Sequence, residues 1–347
     1  MPLKFRRRKI SRRDFLKLSG IGLIGTLAGG VLTPVLKRYQ QDVANVTVYK
    51  ESFYQGNLTD TIRRGIGNYE HIVRKIKGGR VVLKPNLVDH YPGRPLNTHP
   101  AMMAAAIAAF RQLGAQEVIV AEGPGHNRDM EMILEQTGFD DVLKDEKVRF
   151  VDLNIDSISP VSLVSNYTGL SKLFFPHTIL GADLVVSMPK LKTHHWAGVT
   201  LSLKNLFGAI PGIKYGWPKN FLHWYGIPQS IADIASTLQP DFAIVDGIVG
   251  MEGDGPLHGT GVDSGLVILG DNLTAVDATA TRLMGFYPEQ IDHLLLMLPY
   301  GGTVNNARIR QLGETLQLAQ CNFVPPPNQA EIVEKPSVWR EAIFSGW

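Results

Sequence analysis

The chain has 347 residues, of which 44% are hydrophobic and 19% charged, and its formal net charge is +3. Residues 1–40 hold 10 basic residues against one acid, whereas the rest of the chain holds 25 basic and 31 acidic residues. The excess positive charge therefore belongs to the N-terminal segment, and composition gives no reason to expect a nucleic-acid partner. The single cysteine, Cys321, excludes an intrachain disulfide and an iron–sulfur cluster held only by thiolates of this chain.

An export signal is predicted at the N-terminus. Residues 11–17, Ser-Arg-Arg-Asp-Phe-Leu-Lys, have the form of a twin-arginine signal, and a moderately apolar stretch follows from Leu18 to Leu36. A stretch of this length can also span a membrane, so residues 1–40 are assigned as a twin-arginine signal or a membrane tether. The export machinery is then a partner of the protein. The protein is expected in the periplasm or elsewhere outside the cytoplasm, or tethered to the membrane.

Short runs of β-branched and apolar residues alternate with helical patterns from about Val46 onward. This alternation predicts an α/β fold in which helices cover both faces of a mostly parallel sheet. The predicted strands are Val46–Tyr49, Arg80–Lys84, Glu117–Ala121, Val148–Leu153, Asp183–Ser187, Phe242–Val245 and Leu266–Leu269. The predicted helices are Leu58–Lys77, Pro100–Leu113, Met130–Gln136, Ile227–Leu238 and Thr274–Met284. Residues 41–347 are assigned to one large domain.

Two segments depart from the alternating pattern. The stretch from Leu191 to Gly226 is rich in Gly, Lys, His and Trp and is too long for a plain connection, so it is predicted to be a long functional loop region. The tail after Gln320 is rich in proline and is predicted to wrap over the surface and to end in a short helix.

Lysines collect where the predicted strands end. Ligands of open α/β sheets bind outside the carboxyl ends of the strands, and lysines that converge there form a positive pocket for a carboxylate or phosphate. The candidate lysines are Lys84, Lys190, Lys192 and Lys204. The alternative is that each ammonium group reaches solvent separately.

Other polar residues near strand ends are candidate ligand-binding groups. Asn86 and Asp246 each follow a predicted strand. Thr98 and His99 precede Pro100 at the start of a predicted helix, whose free amides can bind an anion, although helix capping alone also explains these residues.

Three residues are candidates for catalysis. His194 is the first choice, as an acid, a base or a hydrogen-bond donor. Neighbouring residues of an extended segment point to opposite sides, so only one of His194 and His195 is expected to face the pocket. Glu252 could act as an acid or base or neutralise the lysines, although it lies in a glycine-rich turn that also explains it. Lys190 is the third candidate, as a group that positions charge. The histidine spacing is not diagnostic of a metal, and no metal ligand is assigned.

Eight short motifs occur in the order found in the domain of unknown function 362 family, which this sequence resembles from about residue 80 to residue 287. They are Lys84-Pro85-Asn86-Leu87, Thr98-His99-Pro100, Gly181-Ala182-Asp183, Pro189-Lys190-Leu191-Lys192-Thr193-His194, Leu203-Lys204-Asn205-Leu206-Phe207-Gly208, Asp246-Gly247, Glu252-Gly253-Asp254-Gly255-Pro256-Leu257 and Ala275-Val276-Asp277-Ala278. The resemblance implies a fold and a pocket, with Asn205 as a further ligand-binding residue, but no reaction and no identified cofactor. Some members carry ferredoxin-like cysteine motifs. This chain lacks them, so an electron-transfer role would require a separate redox partner.

Two functions that use a ligand pocket are compatible with these residues, and a purely structural or assembly role is the remaining alternative. The first is an enzyme that acts on a small anionic substrate, with the lysines positioning charge and His194 or Glu252 moving a proton. The second is a non-catalytic module that uses the same pocket to bind an anion or a metal-bearing cofactor. A titratable group with a pKa close to neutrality favours the enzyme, because binding needs only fixed charge.

Overall fold

The computed structural model describes residues 43–125 and 129–336. The predicted export signal in residues 1–40 and the predicted terminal helix beyond residue 336 lie outside these ranges. No helix within the described ranges has both the length and the apolar character that crossing a membrane requires.

The fold is built on a large central sheet. The strands are β1 (Ala44–Lys50), β2 (Arg80–Pro85), β3 (Glu117–Glu122), β4 (Arg149–Asp152), β5 (Ile158–Ser162), β6 (Lys172–Pro176), β7 (Leu184–Met188), β8 (Lys190–His194), β9 (Gly198–Thr200), β10 (Phe242–Glu252), β11 (Thr260–Gly270) and β12 (Ile309–Gly313). The main sheet has the order β12-β1-β11-β10-β7-β2-β3-β4, with β8 paired to β10 and β9, and β5 pairs with β6 separately.

Most neighbouring strands of the main sheet are parallel, as predicted. The run from β10 through β7, β2 and β3 to β4 is parallel throughout, and so is the pair β1 and β12. The hairpin of β10 and β11, the pair β1 and β11, and the pair β8 and β9 are antiparallel. The parallel half therefore carries the carboxyl ends at which a ligand is expected.

Helices lie between the strands along the chain. The α-helices are α1 (Leu58–Gly67), α2 (Glu70–Ile76), α3 (Pro100–Gln112), α4 (Met130–Thr137), α5 (Phe139–Asp145), α6 (His177–Leu180), α7 (Ser202–Asn205), α8 (Gly212–Tyr215), α9 (Asn220–Trp224), α10 (Ile227–Leu238), α11 (Leu273–Leu283), α12 (Asp292–Leu296) and α13 (Leu316–Ala319). Short 3-10 helices span Leu206–Ala209, Pro288–Gln290, Leu298–Tyr300, Asn306–Arg308 and Ala330–Val333.

Both faces of the sheet are buried, which confirms the predicted α/β architecture. Along β10, Ala243 and Val245 pack in one apolar cluster with α10 and α11, whereas Phe242 and Ile244 pack in a second cluster with α1, α2 and α3. Side chains alternate between the faces of a strand, so a strand buried on both faces reads as a continuous apolar run. This explains why strands such as β2, β7 and β10 are recognisable in the sequence. The strands β5, β6, β8, β9 and β12 were not predicted.

Two segments are organised differently from the prediction. The single helix predicted over Leu58–Lys77 is two helices, separated at Asn68 and Tyr69. At this break the Tyr69 hydroxyl contacts Thr47 Oγ1 and donates to the Leu269 carbonyl, so the chain is fastened to the sheet there. The predicted loop 191–226 is more regular than expected, because it contains most of β8 together with β9, α7, α8 and α9.

Candidate functional site

A cavity of about 230 Å³ lies at the carboxyl ends of β2, β3 and β8. Its wall combines residues that follow these strands with residues of the segment from β9 to α9. The polar and charged residues on the wall are Asn86, Glu122, Lys192, His194, His195, Thr200, Lys204, Asn205, Lys219, Asn220 and His223. The cavity therefore lies where ligands bind in open α/β sheets.

A buried ion pair forms the floor of the cavity. Lys84 is fully buried, and its ammonium lies 2.7 Å from Oε2 of Glu122 and 3.2 Å from Oδ1 of Asn205. The other carboxylate oxygen of Glu122 accepts a hydrogen bond from the backbone N–H of Gly123. Burial lowers the pKa of Lys84, and the nearby carboxylate opposes that shift. Lys84 is thus the cation in direct contact with Glu122, and the same carboxylate partly offsets the burial of Lys192, Lys204 and Lys219.

Three further lysines on the cavity wall form no salt bridge within residues 43–125 and 129–336. Lys192 donates to the Leu96 carbonyl at 2.7 Å, and Lys219 donates to the Gly123 carbonyl at 2.7 Å. The Lys204 ammonium lies over the Phe207 ring, 4.4 Å from its centroid.

Burial shifts the titration of all three of these lysines. It lowers the pKa of Lys204 to about 8 and that of Lys219 to about 7, and it holds the pKa of Lys192 well below its ordinary range. Burial is the largest cause of each shift, and the nearby Glu122 carboxylate compensates it only in part.

Lys219 has an unusual backbone conformation. Its φ of 68° and ψ of 35° lie in the left-handed region, which costs energy for a residue other than glycine. The side chain is nearly completely buried and donates to the carbonyl oxygens of Gly123 and Phe207. These two hydrogen bonds hold the ammonium at the cavity wall.

Both members of the histidine pair line the cavity, contrary to the expectation that only one would face it. The strand β8 ends at His194, and residues 195–197 form a turn, so the alternation of an extended strand does not extend to His195. The two imidazole centroids are 5.1 Å apart. His194 Nδ1 accepts hydrogen bonds from the backbone N–H groups of Trp196 and Ala197 at 3.1 and 3.3 Å. Burial holds the pKa of His194 well below its ordinary value, so its neutral ring presents Nε2–H as a donor.

Two buried polar atoms on the cavity wall have no hydrogen-bond partner among the residues described. They are Oδ1 of Asn86 and Oγ1 of Thr200, whose side chains belong to residues only 8% and 3% exposed. Buried polar atoms are nearly always paired, and an unpaired one costs about 1–3 kcal/mol. A ligand in the cavity can supply the missing partners.

Residues that lie behind the cavity wall fix the positions of the residues on it. The Thr98 hydroxyl accepts from the backbone N–H of Asn86 at 2.8 Å and donates to the Met188 carbonyl. Asp277, in the middle of α11, accepts from the backbone N–H groups of Ser202 and Leu203 at 2.8 and 2.9 Å, and so caps the start of α7. Burial raises the pKa of Asp277 to about 7. The helix that bears Lys204 and Asn205 is thus anchored by a carboxylate from another element.

A second polar cluster lies outside the cavity and contains three of the predicted site residues. The Lys190 ammonium lies 2.7 Å from Oδ2 of Asp246 and donates to the Tyr54 hydroxyl at 2.9 Å. Tyr54 in turn donates to Asp246 Oδ1, and the backbone N–H of His99 donates to Asp246 Oδ2. The His99 ring stacks on Tyr54 with 3.6 Å between the centroids. The partners within this cluster satisfy one another, which is the arrangement of a structural network.

Glu252 lies at neither the cavity nor the second cluster. Its Oε2 accepts a hydrogen bond from the backbone N–H of Val324 at 2.8 Å, so it fastens the C-terminal tail.

The structure brings five of the predicted site residues to the cavity wall, and these are Asn86, Lys192, His194, Lys204 and Asn205. Lys84 and Thr98 lie directly behind that wall.

Sequence reasoning missed several cavity residues. Glu122 is the last residue of β3, and the same strand-end signal that selected Lys84 could have selected it. Only one of His194 and His195 was expected at the cavity, because the turn after β8 was not predicted. Lys219 carried no recognisable signal, because its position depends on a left-handed backbone inside an irregular segment.

No group of three or more His, Cys, Asp or Glu side chains that could hold a metal ion occurs in the described part of the chain. The residues on the cavity wall that could contact a bound group are mainly ammonium, imidazole and amide groups.

Comparison with known proteins gives three findings. The family described as Domain of unknown function (DUF362) matches residues 81–282. A thylakoid-associated protein of Synechocystis sp. is 28% identical over 265 residues, which cover 72% of this chain and 77% of that protein. The lactate racemase apoprotein of Thermoanaerobacterium thermosaccharolyticum is similar with a TM-score of 0.45 and 13% identity. That match covers 71% of this chain and 58% of the racemase chain, so this protein spans less than two thirds of its length.

Proposed function

The chain belongs to the DUF362 family, whose description assigns no reaction, and we propose from the cavity itself that the protein is an enzyme acting on a small anion. The anion is a carboxylate or a phosphate held by lysine ammonium groups. His194 and the lysines stabilise negative charge that develops on the ligand during the reaction.

One observation carries this proposal. Lys192, Lys204 and Lys219 surround one cavity, and the only carboxylate on its wall within the described residues, Glu122, is already paired with Lys84. Burying several ammonium groups beside a single carboxylate is costly in the empty protein. A bound anion offsets that cost, so the arrangement favours anion binding.

Proton transfer is supported by the titration of the same groups. A site that only binds an anion needs fixed charge, whereas a catalytic acid or base works best with a pKa close to the working pH. Burial lowers the pKa of Lys204 to about 8 and that of Lys219 to about 7, so both exchange protons near neutral pH.

Anion binding is tested by calorimetric titration of the full chain with sulfate. We expect Lys192→Met to weaken sulfate binding by about tenfold to a hundredfold, which corresponds to one lost charge-assisted hydrogen bond. The matched control is Lys172→Met, because Lys172 is exposed on β6 and does not line the cavity. Equal affinities in all three proteins would refute the anion site.

Catalysis is tested separately from binding. The full chain is incubated in deuterated water with a panel of small carboxylates and phosphate monoesters, and deuterium in each compound is measured by mass spectrometry. An enzyme that moves a proton introduces deuterium into its substrate, and Lys219→Met should slow this exchange. A binding module would retain the anion and introduce no deuterium.

We further propose that the chain is exported by the twin-arginine route. The support is the run from Ser11 to Lys17, and the relative named for its association with the thylakoid suggests a place of action at a membrane. The test is fractionation of cells that produce the full chain with Arg12→Lys and Arg13→Lys together. The doubly substituted chain should stay in the cytoplasm, whereas the matched control with Arg6→Lys and Arg7→Lys should be exported. Equal export of both would contradict the signal.

A further inference from the structure

The two adjacent histidines on the cavity wall are fixed by the backbone in opposite protonation patterns. His194 Nδ1 accepts two backbone N–H groups, so the ring hydrogen of neutral His194 is on Nε2. His195 Nδ1 lies 2.9 Å from the carbonyl oxygen of Gly255, which can only accept. In neutral His195 the ring hydrogen is therefore on Nδ1, and Nε2 carries the lone pair.

The contact that fixes His195 is built into the backbone. The Gly255 carbonyl accepts from both the backbone N–H of His195 and its ring nitrogen, each at 2.9 Å. Gly255 approaches β8 so closely that a Cβ at this position would collide with the Thr193 carbonyl. On the other side, Asn328 donates to the backbone carbonyl of His195 at 2.8 Å. His195 is thus held from two sides in one tautomer.

Other groups on the cavity wall are less suited to receive a proton from a ligand. The lysines on the wall, Lys192, Lys204 and Lys219, are kept protonated by a bound anion, because a nearby negative charge raises the pKa of a lysine. They therefore hold the ligand and do not take up its proton. Both oxygens of Glu122 already accept hydrogen bonds. The amide oxygen of Asn86 accepts hydrogen bonds but is too weakly basic to take up a proton. His223 is another histidine on the wall, with its Nδ1 3.1 Å from the Lys219 carbonyl, and it serves as the control below.

We propose that His195 Nε2 is the proton acceptor of the cavity, and that the ligand is therefore an anion that also carries a hydroxyl or another acidic hydrogen. This inference rests on the proposed function and specifies its substrate class. In the reaction the bond between hydrogen and the ligand atom breaks, and an N–H bond to Nε2 forms. The electron pair stays on the ligand atom, where the His194 N–H and the nearby ammonium groups stabilise it.

A matched pair of probe anions tests this assignment. At about pH 8, above the second pKa of phosphate, phosphate and sulfate are both mainly tetrahedral dianions, but only phosphate keeps an O–H. The ratio of their affinities is measured by calorimetry for the full chain and for His195→Phe. Comparing this ratio between two proteins cancels the difference in hydration between the anions.

We expect the wild-type ratio to favour phosphate by about tenfold more than the His195→Phe ratio, the effect of one hydrogen bond. Sulfate affinity should change by less than about threefold, since sulfate has no hydrogen to give. His195→Gln, whose side-chain oxygen can accept, should restore part of the preference. His223→Phe is the matched control and should keep the wild-type ratio.

The possible failures point to different conclusions. An unchanged ratio in His195→Phe, with sulfate still bound, overturns the role of His195 and leaves the anion site in place. Loss of the preference in His223→Phe alone assigns the acceptor to His223 and also overturns the proposal. Absence of binding of either anion to the wild type overturns the proposed function itself.

A measurement on the unsubstituted protein covers the case in which His195→Phe does not fold. The nitrogen chemical shifts of isotopically labelled histidine distinguish a protonated ring nitrogen from one with a lone pair. We expect the unprotonated signal of His195 at Nε2, and we expect it to move on addition of phosphate and to stay in place with sulfate. A protonated Nε2, or equal movement with both anions, contradicts the proposal.

Discussion

Replacement of Lys219 by Met should stabilise the folded protein at low pH and lose that advantage at high pH. Burial, the largest cause, lowers the pKa of Lys219 from 10.5 to about 7. Each pKa unit corresponds to about 1.4 kcal/mol, so keeping this ammonium charged costs the folded protein about 5 kcal/mol relative to the unfolded chain. Methionine keeps a similar unbranched apolar side chain without the charge.

The two hydrogen bonds of the ammonium reduce the expected gain. Lys219 donates to the carbonyl oxygens of Gly123 and Phe207, and each bond contributes about 1 kcal/mol. The Met variant should therefore be more stable than the wild type by roughly 2–3 kcal/mol at about pH 6.

The sign of the pH dependence follows from proton binding. Below the folded-state pKa of about 7, both states bind the proton and the full cost is present. As the pH rises toward 10.5, the folded protein releases the proton while the unfolded chain keeps it, so the wild type gains stability. The advantage of the Met variant should shrink by about 3 kcal/mol between pH 6 and pH 9.5.

The assay is equilibrium unfolding in urea at both pH values, without added sulfate or phosphate. Lys172→Met serves as the control, because Lys172 is exposed and its replacement should change stability little at either pH. A Lys219→Met variant that is less stable than the wild type at both pH values would refute the reasoning. So would a difference in stability that does not change with pH.

Three further substitutions test the surroundings of the cavity. Lys84→Met should lower the free energy of unfolding by about 3–5 kcal/mol because it leaves the buried Glu122 carboxylate without its partner. Adding Glu122→Gln should recover much of that loss, as measured by urea unfolding. Lys190→Met should lower the free energy of unfolding by a similar amount, because it leaves Asp246 without its partner. The folded fraction should still bind sulfate in calorimetry. Unchanged stability together with lost sulfate binding would contradict the position of Lys190 outside the cavity. Asp277→Ala should weaken sulfate binding by about threefold to tenfold, because the lost cap of α7 contributes about 1 kcal/mol. Unchanged sulfate affinity would show that α7 keeps its position without the Asp277 carboxylate.

The fold was largely predictable because burial on both faces leaves a simple trace in the sequence. The helix Ile227–Leu238 was predicted with the bounds that the structure has. The helix over Leu58–Lys77 was predicted as one element because its apolar spacing continues through Asn68 and Tyr69. The Tyr69 hydroxyl contacts Thr47 and Leu269 of the sheet at this break, and local periodicity does not record such tertiary contacts.

The candidate site was predictable only in part, for a physical reason that differs between residues. Lys84, Lys190 and Asp246 all follow or end strands, and that signal does not tell which side of the sheet a side chain reaches. The structure places Lys84 under the cavity and the pair of Lys190 and Asp246 in a separate network. His195 depends on a turn, and Lys219 on a left-handed backbone, and neither has a sequence signature strong enough to be read alone.

The position of the short helix α7, and with it part of the cavity wall, depends on residues that no ligand would contact. A helix of four residues has little stability of its own, and the start of this one is held by Asp277 from the centre of α11. Repacking within α11 would therefore move Lys204 and Asn205 while leaving the cavity composition unchanged. Natural or selected variants that differ in ligand preference are accordingly expected to carry changes along α11 as well as at the cavity wall, and laboratory evolution of this protein should include that helix among its targets.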